Sequence, residues 1–270
     1  MPPDDLALAL RMADTADAVS MGFFTGEVVD TATKADGTPV TAADPAVERA
    51  LAAVVAAERP SDGFLGEEVG PLPAAGGPNG SEPRRRWVVD GVDGTVLFAA
   101  GAAEWATQIA LEADGEVVVG VTTSPALGAR WWASLGGGAW RARIGGTAPP
   151  VRLAVSTGAG GELAAWRTSC VPVRPSLRGL ERALADRLAE GTHDVAPTVH
   201  GALMVAEGTI EACLQPLGAL WDYAAPALIV AEAGGRYGGL DGGRTLAQPL
   251  LYSNGASHDA LLALLRGAVL

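Results

Sequence analysis

The chain has 270 residues, of which 49% are hydrophobic and 19% are charged, and its formal net charge at pH 7 is −12. This balance is typical of a folded globular protein, and the length allows one large domain or two domains of medium size. An acidic chain lacks the basic face that nucleic-acid binding requires, so we expect no nucleic-acid partner. The apolar runs are shorter than the roughly 18 residues that indicate a membrane span, so we expect no membrane partner.

The N-terminus and the cysteines indicate the cellular compartment. The opening stretch MPPDDLALALRMADTADAV carries Asp4, Asp5 and Asp14 and has no basic n-region, which argues against a secretory signal peptide. Cys170 and Cys213 have neither metal-ligand nor redox spacing, and two cysteines are too few for a disulfide framework. We therefore expect a reduced, cytoplasmic setting.

Two helices are predicted before the first long strand. Apolar residues recur at helical spacing from Leu6 to Phe24, and a polar break follows. A second helix is expected to have Asp44 as its N-cap and Pro45 at its first position, and to continue to Arg59-Pro60.

Short strands and turns follow these helices. The predicted strands are GFLGEE at 63–68, Trp87–Asp90, Trp105–Leu111, Val117–Thr123 and Arg130–Ser134. The Gly- and Pro-rich stretch at 70–83 is expected to be a long connection between the first two of these strands.

The segment GGTAPPV at 145–151 is the best candidate for a boundary, which predicts domains at 1–146 and 147–270. The predicted elements beyond it are strands Val151–Val155, Trp166–Cys170 and Thr209–Leu214, and helices at about 176–190 and 199–207. A last apolar helix opens at Trp221-Asp222 and is expected to end at Gly234-Gly235 by a glycine C-cap. This order predicts an α+β half followed by an α/β half.

Several acidic residues stand at the ends of apolar segments rather than on polar surfaces. They are Glu67, Glu68, Asp90, Asp93 and Asp222. Carboxylates that leave a core are costly unless they are paired or bind metal, and the flanks of Asp90 and Asp93 supply only Gly, Val and Thr. A hard divalent cation such as Mg²⁺ is the better partner, and the carbonyl of Val92 can be a further ligand across a tight turn.

Four segments, taken together, resemble the inositol monophosphatase superfamily of metal-dependent phosphatases. They are TKADGTPVTAADPAVE at 33–48, GEE at 66–68, WVVDGVDGT at 87–95 and WDYAAPALIVAEAGG at 221–235. The resemblance implies a layered αβαβα sandwich in which the N-terminal domain carries most metal ligands and the C-terminal domain completes the metal site and the substrate pocket. It also implies two or three Mg²⁺ ions, a small phosphate ester as substrate and a homodimer.

The resemblance also implies roles for individual residues. Glu67, Asp90 and the Val92 carbonyl match the ligands of a first metal, and Asp90, Asp93 and Asp222 match those of a second.

Further roles concern the attacking water and the phosphate. Thr95 matches the threonine that, with Glu67, positions and deprotonates the water. Asp44 resembles the carboxylate that orients this threonine, and Lys34 resembles the lysine beside the site. The backbone amides of Gly94 and Thr95 would hold phosphate oxygens at a helix start.

Within the superfamily, the sequence is most similar to histidinol-phosphate phosphatases, with two departures. Residues 195–198, Val-Ala-Pro-Thr, stand where those enzymes usually carry a Thr-Trp-Gly-Asp-type motif, and Gln215 replaces a usually acidic residue before Pro216. Losing two carboxylates removes the obvious reason to prefer the cationic histidinol, and a polyol or sugar phosphate would suit Gln215 better. His200 is a second candidate for contact with the substrate.

A third departure lies in the motif itself, where Gly91 replaces the family's common proline. Glycine is expected to loosen the turn by about 0.4–1 kcal/mol through unfolded-state entropy, and to make the site more dependent on bound metal for its order.

The leading hypothesis is therefore a Mg²⁺-dependent phosphomonoesterase acting on histidinol phosphate or another polyol phosphate. A phosphatase of nucleoside 3′-phosphates or bisphosphates is an alternative within the same superfamily. A catalytically silent metal-binding regulatory protein is the alternative outside enzymes, and the intact set of acidic residues argues against it.

Overall fold

The computed structural model describes residues 4–25, 27–35, 37–74, 83–158, 162–195 and 199–267. The helices are α1 Asp4–Phe23, α2 Ala43–Glu58, α3 Thr95–Ala99, α4 Gly179–Gly191, α5 Gly201–Ala206, α6 Leu220–Glu232 and α7 His258–Arg266. The strands of the first half are β1 Ala32–Thr33, β2 Pro39–Val40, β3 Gly63–Gly66, β4 Gly70–Leu72, β5 Arg85–Asp93, β6 Ala106–Ala113, β7 Glu116–Ser124, β8 Ala129–Ser134 and β9 Gly138–Arg143. The remaining strands are β10 Val151–Arg152, β11 Arg167–Cys170, β12 His193–Asp194, β13 Ala212–Gln215, β14 Arg236–Gly239 and β15 Leu250–Ser253.

The strands form two main sheets and a small hairpin. The large sheet has eight strands in the order β10-β9-β8-β7-β6-β5-β3-β4, in which β3 and β5 run parallel and the other neighbours antiparallel. The second sheet has five strands in the order β12-β11-β13-β15-β14. Strands β1 and β2 pair with each other just before α2.

The helices cover these sheets in layers. Helices α1 and α2 pack on one face of the large sheet through an apolar cluster that includes Leu8, Met12 and Leu51. Helices α5 and α6 fill the space between the two sheets, and α4 and α7 cover the outer face of the second sheet. The five layers confirm the αβαβα sandwich that the resemblance implies. None of the described helices combines the length and the hydrophobicity that a membrane crossing needs.

Most predicted elements form close to their expected bounds. Helix α6 ends as predicted, because Gly234 has a φ of 92° and its N–H bonds the carbonyl of Ala231 at 3.0 Å. The N–H of Gly235 bonds the carbonyl of Val230 at 2.9 Å. This pair of bonds is a Schellman motif, which satisfies the last carbonyls of the helix.

Three local predictions are corrected by the structure. Asp44 lies in the first turn of α2 rather than at its N-cap, which is Ala42. The connection expected at 70–83 begins with a strand, β4, which pairs with β3; residues 75–82 lie outside the described residues. The strand expected at Val151–Val155 forms only over Val151–Arg152, and it pairs with β9 in the large sheet. The division at 146 and 147 stays a prediction.

Gly120 of β7 is a point of close approach between the large sheet and α6. A Cβ atom there would lie 2.8 Å from the carbonyl oxygen of Ala225 and 3.0 Å from its Cα atom. These are backbone atoms and cannot rotate away. The absence of a side chain at Gly120 therefore lets α6, which begins with the Trp-Asp motif, lie directly on the sheet.

We expect Gly120→Ala to lower the free energy of unfolding by about 1–3 kcal/mol, because the added methyl overpacks this contact. Chemical denaturation would measure the change. Gly22→Ala is the matched control, since a Cβ atom at Gly22 would meet nothing within 4 Å and alanine favours the helix α1. Equal stability of the two variants would contradict the close contact.

Candidate active site

The segment DGVD at 90–93 ends β5 in a β-bulge. Asp90 pairs with Gln108 of β6, but Asp93 pairs with Ala106, so β5 has one residue more than β6 across this interval. In a regular strand, residues three apart point to opposite faces, whereas one extra residue brings them to the same face. The two carboxylates converge through a bulge at the end of a strand, and not across the tight turn that we predicted.

Asp222 completes a group of three carboxylates. One oxygen atom from each of Asp90, Asp93 and Asp222 lies within 4.8 Å of the others. Asp222 reaches this group from the first turn of α6, where the backbone N–H of Ala219 donates to its Oδ2 atom at 2.5 Å. The acidic side chain thus caps the helix that carries it, and its position is fixed by the backbone.

The three carboxylates share a low-dielectric and mutually repulsive environment. Burial raises the pKa of Asp90 well above its usual value, and the charges of Asp93, Glu67 and Asp222 add to this shift. Burial raises the pKa of Asp93 to about 6, although a hydrogen bond from Gln108 opposes the shift. Burial and the charge of Asp93 raise the pKa of Asp222 to about 7. A cation at the centre of the group would relieve both causes.

Glu67 stands beside this group and is held by Lys34. The Nζ atom of Lys34 donates to Glu67 Oε1 at 2.6 Å and also to Glu68 Oε1. Burial alone would lower the pKa of Lys34, but these two hydrogen bonds leave it above its usual value. Burial raises the pKa of Glu67. The charge of Glu67 acts on each of the three aspartates, so it belongs to the same electrostatic cluster.

Thr95 begins α3 directly after Gly94, whose φ of 88° lies in the left-handed region. Its hydroxyl oxygen lies 2.9 Å from Asp44 Oδ1 and 3.1 Å from the carbonyl oxygen of Val92. The other oxygen of Asp44 accepts the backbone N–H and the hydroxyl of Thr41, at 2.9 and 2.6 Å. Asp44 is buried and anchored on one side, so its free side is directed at Thr95.

An aromatic cluster supports this end of β5. The rings of Phe24, Phe98 and Trp105 lie 4.9 to 5.5 Å apart between centroids. Phe98 and Trp105 belong with Val92 and Ala43 to one buried apolar cluster. The site therefore rests on a packed base that joins α2, β5 and α3.

The two predicted substrate contacts lie farther along the chain. Gln215 is the half-buried last residue of β13, opposite Leu250 of β15. The buried ring of His200 packs against Trp131 of β8, with 5.4 Å between centroids, and burial lowers its pKa to about 4. The preceding residue, Val199, reaches the site, because a Cβ atom at Gly94 would lie 3.1 Å from its Cγ1 atom. Residues 196–198 of the divergent segment lie outside the described residues.

Sequence reasoning missed two polar residues beside the site. Gln108 Nε2 donates to Asp93 Oδ2 at 2.8 Å, and Gln108 Oε1 accepts the hydroxyl of Thr122 at 2.6 Å. The carboxylate of Glu48, on the buried face of α2, accepts backbone N–H groups of residues 68 and 69. A polar residue in a largely buried strand or on the apolar face of a helix was the available signal, since buried polar groups require partners.

The raised pKa values predict how stability depends on pH when a chelator is present. Because the folded pKa values of Asp93 and Asp222 exceed the usual unfolded value, protonation favours the folded state. The stabilisation from protonation is complete below the unfolded pKa and is lost as the pH rises through about 6 to 7. Other acidic groups also titrate, so the informative quantity is the difference between wild type and Asp93→Asn.

We expect Asp93→Asn to gain stability relative to wild type as the pH is raised from 5 to 8 in EDTA, because the variant has one repelling charge fewer. Thermal melts at each pH would measure this difference. A difference that does not change with pH would contradict the electrostatic account of the cluster.

The chain is similar to known proteins over nearly its whole length. The profile of the Inositol monophosphatase family matches residues 6–269. A histidinol-phosphatase of Mycobacterium tuberculosis is 39% identical, with 97% of this chain and 98% of the relative covered. A histidinol-phosphatase of Streptomyces coelicolor is 40% identical, with 97% of each chain covered. A Streptomyces griseus protein named glucose-1-phosphate thymidylyltransferase is 38% identical, with 97% of this chain and 96% of the relative covered.

The solved structures point to the same fold. The inositol monophosphatase of Thermotoga maritima superimposes with a TM-score of 0.81 at 24% identity, covering 98% of both chains. The match at this identity concerns the fold, whereas the family profile and the curated relatives extend over nearly the whole sequence. The chain belongs to the inositol monophosphatase family and is a phosphatase, a hydrolase of phosphoric monoesters.

Proposed function

We propose that this chain is a Mg²⁺-dependent phosphomonoesterase that hydrolyses a small soluble phosphate ester with an activated water. The observation that carries the proposal is the convergence of Asp90, Asp93 and Asp222 beside the paired side chains of Thr95 and Asp44. Three close carboxylates favour the binding of a hard cation. A threonine whose hydroxyl donates to a buried carboxylate can accept a hydrogen bond from the attacking water.

The donor set fits magnesium, which prefers oxygen ligands and keeps several waters. Glu67, Asp90 and the Val92 carbonyl would hold one ion, and Asp90, Asp93 and Asp222 would hold a second. Bound Mg²⁺ would supply Lewis acidity and would neutralise the charge that develops on the leaving oxygen. The number of ions, two or three, follows the resemblance to the family.

The side chains around Thr95 suggest the path of the proton. When its hydroxyl donates to Asp44 Oδ1, the oxygen of Thr95 presents a lone pair that can accept a hydrogen bond from water. The second hydrogen bond of the water goes to Glu67. Glu67 accepts this proton as the water oxygen bonds to phosphorus. The bond between phosphorus and the ester oxygen breaks, the departing alkoxide takes a proton from solvent and leaves as the alcohol, and inorganic phosphate remains. Glu67 then returns its proton to solvent.

The remaining roles concern binding. We assign the phosphate oxygens to the backbone amides of Gly94 and Thr95, where the left-handed Gly94 begins α3. Lys34 neutralises Glu67 and Glu68 at the edge of the site. We assign the organic part of the substrate to Gln215 and to the turn that contains Val199 and His200.

Two considerations guide the choice of substrate. The relatives named histidinol-phosphatase favour histidinol phosphate, but a relative of nearly the same identity, 38% against 39% and 40%, has a different name. Gln215 is neutral, so it offers no ion pair to a cationic leaving group and favours a hydroxyl-rich ester such as a polyol or sugar phosphate. We further propose that the chain forms a homodimer in the cytoplasm and that each protomer has two domains, 1–146 and 147–270.

The test is phosphate release from histidinol phosphate, inositol 1-phosphate, sugar phosphates and nucleotides, with and without Mg²⁺. We expect metal-dependent release that Asp93→Asn lowers by at least about a thousandfold while its melting temperature in EDTA stays at or above that of wild type, because a metal ligand is lost with little change in volume. The matched control is Asp259→Asn, which changes an exposed aspartate on α7 and should keep full activity.

Substantial turnover by Asp93→Asn would refute the metal assignment. A dominant nucleoside 3′-phosphate or bisphosphate would favour the first alternative, and Mg²⁺ binding without release from any ester would favour the silent protein.

The role of Gln215 is tested by Gln215→Glu. A new carboxylate beside the leaving group should shift the ratio of kcat/KM values toward histidinol phosphate, relative to inositol 1-phosphate, by about tenfold, which corresponds to about 1.4 kcal/mol. An unchanged ranking of the two substrates would exclude contact between Gln215 and the leaving group.

A further inference from the structure

Glu48 closes the first motif, TKADGTPVTAADPAVE, and none of the steps above uses it. Its side chain lies on the buried face of α2 and is 0% exposed to solvent. A carboxylate taken out of water in this way is costly unless donors surround it. The contacts of the Glu48 carboxylate therefore indicate its role.

The donors to Glu48 are backbone N–H groups from two separate segments. The N–H of Glu68 lies 2.9 Å from Oε2 and 3.1 Å from Oε1, and the N–H of Val69 lies 2.8 Å from Oε2. The backbone N–H of Gly91 interacts with the same carboxylate; burial raises the pKa of Glu48 to about 7, and the N–H groups of Val69, Glu68 and Gly91 oppose this shift. The first segment is the turn after β3 that carries Glu67, and the second is the end of β5 that carries Asp90 and Val92.

Two glycines make room for this arrangement. A Cβ atom at Gly66 would lie 2.3 Å from Glu48 Oε2. A Cβ atom at Gly91 would lie 3.2 Å from Glu48 Cγ and 2.5 Å from the carbonyl oxygen of Asp44. Strands β3 and β5 are parallel neighbours, and both glycines face the same side chain from α2, Gly66 at its carboxylate and Gly91 at its Cγ atom.

We propose that Glu48 is a positioning residue: its carboxylate fixes the turn that carries Glu67 to the strand end that carries Asp90 and Val92. It thereby sets the distance between the two halves of the first metal site, and so the inference rests on the proposed function. Lys34 restrains the tip of Glu67 from one side, and Glu48 restrains the backbone behind it from the other. Without Glu48, the turn at 66–69 would lose its anchor on α2.

The experiment compares variants of the full chain in calorimetric titrations with Mg²⁺ alone, so that no substrate is required. Glu48→Ala should bind Mg²⁺ at least about tenfold more weakly, the usual loss when a residue that orients a metal ligand is removed. Glu48→Gln should fall between wild type and Glu48→Ala, because its amide oxygen can still accept the N–H groups of Glu68 and Val69, whereas its amide nitrogen cannot accept an N–H group from the other segment. Val47→Ala is the matched control on α2, since it removes buried apolar volume from the same helix and a valine side chain accepts no hydrogen bond from either segment.

Steady-state kinetics provides a second readout. Glu48→Ala should lower kcat at limiting Mg²⁺ and recover toward wild type at high Mg²⁺, with KM for the ester little changed. If Glu48→Ala does not fold, Glu48→Asp replaces it, because the shorter side chain keeps the charge and cannot reach both segments. Glu48→Asp should also weaken Mg²⁺ binding.

Three outcomes would overturn the inference. Unchanged Mg²⁺ affinity in Glu48→Ala or Glu48→Asp, with only a lower melting temperature, would leave Glu48 a purely structural role. An equal loss of affinity in Val47→Ala would assign the effect to general destabilisation. A wild-type protein that binds no Mg²⁺ would overturn the proposed function and this inference together, whereas failure of the variants alone would leave the proposed function intact.

Discussion

The mutual repulsion of buried carboxylates is the constraint on which the rest of this structure depends. Asp90, Asp93 and Asp222 bring oxygen atoms within 4.8 Å of one another, and burial together with the charges of neighbouring carboxylates, Glu67 among them, raises all three pKa values. A fold maintains such an arrangement only if other interactions prevent the side chains from turning away. Three restraints are local: the bulge in β5, the hydrogen bond from Ala219 to Asp222 at the start of α6, and the hydrogen bond from Gln108 to Asp93. The fourth is the packing of α2 and α6 on the large sheet.

These restraints come from different layers of the fold. The residues of the site are therefore contributed by elements that lie far apart in the sequence. Helix α2 supplies Asp44 and Glu48 from one face of the large sheet, and α6 supplies Asp222 from the other. Strand β5 lies between them and carries Asp90 and Asp93. Because the large sheet separates the two helices, their distance is set by close backbone contacts such as that at Gly120. Packing between the layers thus helps to set the distances between the carboxylate oxygen atoms.

The sequence was sufficient to single out Asp90, Asp93 and Asp222, which the structure brings together, and to predict most helices, because these depend on local patterns. It was not sufficient for the bulge, since one extra residue in β5 is defined only by its pairing with β6. The N-cap prediction at Asp44 was wrong for a related reason: its side chain is engaged by Thr41 and by the distant Thr95. Residues whose partners are distant in sequence, such as Glu48 and Gln108, could be recognised as unusual but not assigned a contact.

Gly91 illustrates how a local argument changes when the folded state is known. Replacing the family's common proline by glycine was expected to loosen the motif, because glycine raises the entropy of the unfolded chain. In the folded state, however, any Cβ atom at this position would lie 2.5 Å from the carbonyl oxygen of Asp44. Glycine also retains an N–H group, which proline lacks, and that group faces Glu48. The entropic cost is therefore opposed by the closer approach of α2 and by an added donor to its buried carboxylate.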